Sequence, residues 1–370
     1  MLTIELKDYK QYGRFLCIFD KELKNKKEKY LSEKGISPSS YRRAKRNETK
    51  SNTTLSLIND LCRLLEYKSF TEDELIELEK EINKVYQFIY FRYEYEPDDL
   101  LVYFNNIISS NSILFPIASL IRLFIILTKK DPKKNLNKYK DEYEELKYYK
   151  DFFIGGLEEI YEIVEISFAD ELTNDILFKK YKNGLTNYNI ASKCLLEDNV
   201  SDCYRFLLIC ENMFLKDRNY RRMYFVDNTK MAYNNKIENY KESYIIGKRN
   251  FASIGSFKDD NNKFGDETKL FITNYLIACM GLKKYDDAYD VIIKYEYINS
   301  NVICCLTILN YINDKYEINK FINDKNKYLY NVVKEILETK TNKKIEEIND
   351  YSVSKSLIKI IYNLIWKRGC

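Results

Sequence analysis

Helix breakers are scarce along the whole chain. Only 10 Gly and 4 Pro occur in 370 residues, too few for the many tight turns of an all-β protein or for a glycine-rich phosphate loop. The apolar residues recur instead at three and four, the period of a helix buried along one face. The expected fold class is therefore all-α. At this length more than one core is expected, because single cores stop growing near roughly 250–300 residues.

Histidine is absent, which removes the His-based nucleophile pairs, general bases and metal ligands. The nine cysteines (Cys17, Cys62, Cys194, Cys203, Cys210, Cys279, Cys304, Cys305 and Cys370) form no C-x-x-C pair. Most fall inside apolar helical patterns, where a reduced Cys behaves as a small hydrophobe. No metal site and no cofactor is expected. Carboxylate pairs such as Asp98/Asp99 and Glu171/Asp175 read as helix surface, so the chain is not expected to be an enzyme and no catalytic residue is assigned. The most apolar run, Ser112–Thr128, is short for a membrane span and contains Pro116 and Arg122. It reads as a buried helix in a cytoplasmic protein with no membrane partner.

Charge is unevenly placed. Residues 1–70 hold 16 Lys+Arg against 9 Asp+Glu, a net of +7, while the whole chain carries +4. A basic end on a mildly acidic body points to nucleic acid, and a solvated Lys-rich face is the equal alternative.

Within that end, Phe15, Leu16, Phe19 and Leu23 recur at helical spacing, and the pattern runs on to Tyr30 and Leu31 before Gly35, a C-cap glycine. Ser37 and Pro38 suit the N-cap and first position of a second helix. The result is a helix-turn-helix outline. On a wheel of about 100° per residue, Ser39, Arg42, Arg43 and Arg46 share one arc of about 100°, and Tyr41 and Ala44 face inward. Arginine reads guanine edges and holds phosphates, so these four are the candidate DNA contacts. A third helix is expected over about Leu55–Tyr67, with a polar stretch, Asn47–Thr54, before it. Thr71 and Glu74 then form a capping box for a linker helix that Pro97 stops.

Beyond it, YLIACMGLKKYDDAYDVIIKY (Tyr275–Tyr295) is apolar helix, short turn, apolar helix, with the small residue Ala288 after the turn. The pattern returns with Ser243 and Cys203, and more poorly with Asn319, at spacings of 40, 45 and 31. The tetratricopeptide period is 34, and the polar Lys258–Lys263 segment is the loop that lengthens one repeat. Ordinary antiparallel helix pairs are the plainer alternative. In the repeat register Asn189, Asn228, Asn235 and Asn274 line the inner face, where their amides suit an extended peptide backbone. Tyr224, Met231, Tyr233 and Phe271 line pockets or core. The last helix, Val353–Trp366, either caps the array or pairs two chains, pairing being preferred.

This layout resembles the peptide-sensing helix-turn-helix and tetratricopeptide regulators of Gram-positive bacteria and their phages, the group that includes Rgg, PlcR, PrgX and the arbitrium receptors (AimR). The likeness spans nearly the whole chain in layout, and GISPSSYRRAKRNE stands where that group carries its usual N-terminal string. It implies an N-terminal DNA-binding domain (1–70), a linker helix (71–96) and a C-terminal tetratricopeptide-like α-solenoid for peptide binding and dimerisation (97–370). The implied function is quorum-sensing-type transcriptional regulation. The implied partners are double-stranded DNA, a short signalling peptide and a second copy of the chain. A scaffold or anti-repressor built on the same repeats, binding only proteins, is the alternative.

Overall fold

Thr71 sets the frame of the first half. Its hydroxyl accepts from the Glu74 backbone N–H at 3.1 Å while Glu74 accepts from the Thr71 N–H at 2.8 Å, the expected reciprocal cap. The computed structural model describes residues 3–23, 27–92, 97–127, 136–251, 266–341 and 345–366. Among the described residues the regular structure is helical, with one isolated bridge between Lys68 and Ser112. In chain order the helices are α1 (Leu16–Leu23), α2 (Lys27–Glu33), α3 (Pro38–Lys45), α4 (Ser51–Leu64), α5 (Glu72–Phe91), α6 (Pro97–Ser109), α7 (Phe115–Ile126), α8 (Lys140–Lys147), α9 (Gly156–Phe168), α10 (Asn174–Phe178), α11 (Gly184–Leu196), α12 (Val200–Lys216), α13 (Tyr220–Lys236), α14 (Tyr240–Phe251), α15 (Asp266–Gly281), α16 (Tyr285–Tyr295), α17 (Ser300–Ile312), α18 (Lys327–Thr339), α19 (Ile345–Asn349) and α20 (Lys355–Trp366). No helix among the described residues is long and apolar enough to cross a membrane.

The chain divides into two compact units, one of residues 1–197 with 208–222 and one of residues 198–207 with 223–370. The division thus falls inside α12 and at 222.

In the first unit α5 is a packed column. Leu75, Leu78, Ile82, Val85, Tyr86, Ile89 and Tyr90 are all buried, and the helix lies against α7. The segment ahead of α1 is anchored to it, because Asn83 and Glu79 accept from the Ile4 and Leu6 backbone N–H groups at 2.7 and 2.6 Å. The Tyr9 hydroxyl donates to the Phe152 carbonyl at 2.7 Å. Phe15, fully buried, sits among Tyr9, Phe70 and Phe152, with ring centroids 4.5–5.9 Å away. The apolar run of α7 is buried almost throughout, and its Arg122 meets Glu142 and Asn105 at the surface.

Three local expectations change. The Phe15–Leu31 pattern is two helices, α1 and α2, with residues 24–26 outside the described set. Pro97 opens α6 instead of ending α5, since a missing N–H costs nothing in a first turn. The second half of Asn47–Thr54 is the first turn of α4, where the buried Thr54 hydroxyl meets that of Thr49 at 2.8 Å.

In the second unit α14 to α18 share one core with α20. Ser243 crosses close to α13, its hydroxyl donating to the Met231 carbonyl at 3.3 Å. Cys203 and Ala288 are likewise fully buried. Asn319 departs from the pattern. It is exposed in a 3-10 turn, and the following helix starts only at Lys327. The Lys258–Lys263 loop lies outside the described residues. Tyr224, Met231 and Phe271 belong to the core, while Tyr233 stacks on Tyr204 at 5.4 Å. In α20, Leu357, Ile358, Ile360, Ile361 and Ile365 are buried, whereas Lys355, Lys359, Asn363 and Trp366 point outward. The outward side is thus mixed, with two lysines and an asparagine beside the exposed Trp366 ring.

Seven of the eight described cysteines are buried and Cys17 is half-buried. None is in a disulfide.

Candidate nucleic-acid interface

The turn between α2 and α3 is built by Gly35. Its φ is +76°, and two crossed hydrogen bonds close the helix end: Ile36 N–H to the Leu31 carbonyl at 2.8 Å and Gly35 N–H to that of Ser32 at 3.0 Å. Pro38 then occupies the first position of α3. The expected N-cap bond from Ser37 is absent, and its hydroxyl faces that of Ser39 at 2.8 Å. The far end of α3 closes in the same way as α2, with Asn47 at φ +57° and Glu48 N–H on the Arg43 carbonyl at 2.9 Å. Asn47 also accepts from the Gly13 N–H at 3.1 Å. A Cβ on Gly13 would lie 2.5 Å from the Ala44 carbonyl oxygen, so only glycine fits against this helix end.

The wheel places the side chains of α3 as the structure does. Tyr41 and Ala44 are buried, and Ser39, Arg42, Arg43 and Arg46 are exposed. Acidic neighbours meet two of the arginines: Arg42 pairs with Glu28 of α2, and Arg46 lies 3.8 Å from Glu48. Arg43 makes no ion pair among the described residues.

What holds α3 in place is Asp20 of α1. Its carboxylate accepts from the Tyr41 hydroxyl at 2.7 Å and pairs with Lys45 and Lys27. The Tyr41 hydroxyl lies equally close to the Leu16 carbonyl, and the Lys27 ammonium sits 4.6 Å above the Tyr41 ring. Burial pushes the Asp20 carboxyl up, but hydrogen bonds from Lys27, Lys45 and Tyr41 outweigh it and hold it below the usual carboxylate range. A depressed carboxylate stabilises the fold above its unfolded value, about 3.9, and loses that effect as pH falls through the lower folded value. Asp20→Asn is therefore expected to cost about 1–3 kcal/mol at pH 7. Urea titrations of the two proteins converge as the pH falls below about 4. An unchanged midpoint at pH 7 refutes the anchoring role.

Of the candidate asparagines, Asn228 and Asn235 on α13 and Asn274 on α15 come together. Asn274 donates to the Asn228 Oδ1 at 2.8 Å, and Asn235 donates to the Asn274 carbonyl at 2.8 Å. The Asn235 Oδ1 is buried and accepts no hydrogen bond among the described residues. A flipped amide would set oxygen against the Asn274 carbonyl, so the unmet acceptor is fixed in place. On the neighbouring side of α13, Asp227 accepts from Arg249 at 2.8 Å and Asn250 at 2.6 Å, with its second oxygen buried and unmet. Asn189 belongs to the first unit, where its amide lies 3.5 Å from the Ser167 hydroxyl.

The residues that position α3, Asp20, Gly13 and Asn47, carried no signal in the sequence. They are single residues whose partners lie 21 to 34 positions away. Comparison with protein-family models, curated proteins and solved structures finds no match for this chain.

Proposed function

We propose that the chain is a cytosolic transcription regulator that binds duplex DNA through α3 and responds to a short signalling peptide. The observation that carries this reading is the two-sided character of α3. Its Tyr41 and Ala44 face is locked into the fold, and its Ser39, Arg42, Arg43 and Arg46 face is open to solvent. A short helix held rigidly with arginines outward, behind a glycine turn, is what insertion into a major groove requires. As a helix-turn-helix, α2 would cross the backbone and α3 would read bases. A homodimer would present two such helices about 34 Å apart, to half-sites one DNA turn apart.

For the peptide, the reading rests on the Asn228, Asn274 and Asn235 ladder in tetratricopeptide-like helical hairpins. Asn228 and Asn274, half-buried, offer amides that suit a peptide backbone, while the unmet Asn235 oxygen is buried. Asn228 and Asn274 already satisfy each other in part, so a bound backbone would exchange with that bond.

The test is binding to duplex DNA across a salt series. Log affinity should fall linearly with log salt, with a slope of about −0.9 for each phosphate neutralised. Affinity that is absent at low salt, or indifferent to salt, overturns the DNA reading. A protein-only scaffold or anti-repressor is the second reading. It draws on the Glu28–Arg42 pair, which places a carboxylate beside the basic face, and it predicts that null result.

A further inference from the structure

The first unit also contains an open cleft of about 840 Å³ bordered by α1, α6, α7 and α8. This is within the usual range of small-molecule sites. Ile108, Phe115 and Leu146 give it an apolar wall, and Tyr148 and Tyr149 add aromatic rings. Phe115 and Tyr149 meet edge to face at 5.1 Å. Its charged groups are Asp20, Glu142 and Glu145 against Lys21 and Arg122. Arg122 is committed, with Nε donating to Glu142 at 2.9 Å, a second contact to the same carboxylate, and Nη1 donating to Asn105 at 3.0 Å. Glu145 makes no ion pair among the described residues. An entering anion would find Lys21 alone, whereas an entering cation would find Glu145 and aromatic faces at once, and Asp20 by displacing one of the lysines that already pair with it.

We infer that this cleft binds an organic ammonium ion with an aromatic or apolar body, and that its occupancy is felt at α3 through Asp20. The same carboxylate borders the cleft and holds Tyr41 and Lys45. A ligand ammonium at Asp20 competes with Lys45 and loosens α3. Burial, with the neighbouring Glu145, also pushes the Glu142 carboxyl up against the pull of Arg122.

The loosening bears on function only through the DNA reading above, but binding is tested without DNA. Tyramine serves as probe, in calorimetry on the full chain, against 4-ethylphenol (no charge) and 3-(4-hydroxyphenyl)propionate (reversed charge). Tyramine is expected to bind with Kd about 1 mM or tighter. Glu145→Gln, an exposed change, should weaken it about three- to tenfold, as should loss of the ammonium. Ser119→Trp, which fills the cleft, should abolish it. Amide exchange over residues 38–46 should quicken on tyramine addition. Equal binding of the propionate, or tyramine binding untouched by Glu145→Gln and Ser119→Trp, overturns the site. Binding with unchanged exchange at 38–46 overturns the coupling. Neither result depends on whether the salt series finds DNA affinity.

Discussion

Replacing Arg42, Arg43 and Arg46 together by Ala is expected to lower duplex-DNA affinity by about a thousandfold, near 1.4 kcal/mol per arginine. The salt slope should drop by about one for each phosphate that is no longer neutralised. All three side chains are exposed, and the residues that seat the helix, Tyr41 and Ala44, stay in place. The thermal transition should therefore hardly move, and electrophoretic shifts at constant salt read the effect directly. Single replacements rank by what already occupies each arginine. Arg43→Ala costs most, because Arg42 and Arg46 spend part of their charge on Glu28 and Glu48. By the same reasoning Glu28→Gln strengthens binding by a few-fold. Unchanged shifts in the triple variant would remove α3 from the interface.

The largest stability effect is expected at Phe15. Its ring is wholly buried, with centroids 4.5 Å from Phe70, 5.7 Å from Phe152 and 5.9 Å from Tyr9. Phe15→Ala removes the ring from three neighbours that are themselves held by other contacts, so the space does not close. The expected cost is about 3–5 kcal/mol, read by urea denaturation. Residues 3–23 should lose hydrogen-exchange protection first, and α3 with them, because Gly13 and Asn47 join the two segments. A cost below about 1 kcal/mol would show that the N-terminal segment is held elsewhere.

Much of this was legible from period and capping. The Thr71–Glu74 box, the buried α7 run, the inward Tyr41 and Ala44 and the hidden Ser243 and Ala288 all follow from local rules acting on adjacent residues. Turns were less legible, for a physical reason. Arg218, Glu238 and Lys283 each adopt positive φ and end a helix with the same crossed pair of bonds, such as Asn239 N–H to the Asn234 carbonyl at 2.8 Å. Glycine usually marks that conformation. Here long charged residues accept its strain, so the punctuation is invisible in composition. Asn319 failed for a related reason, since the turn after α17 runs on to Lys327. Asp20 and the α1–α8 cleft depend on long-range placement, which no local pattern encodes.

The buried thiols set a limit on the chemistry this fold exposes. Burial raises Cys62 and Cys203 to about 11 and Cys279 and Cys304 to about 12. The thiolate is the nucleophile that attacks peroxide and alkylating agents, and these side chains scarcely populate that form at neutral pH. Oxidative stress would therefore leave the folded molecule chemically untouched at these four positions, and Cys17, half-buried, is the described thiol most open to reagents.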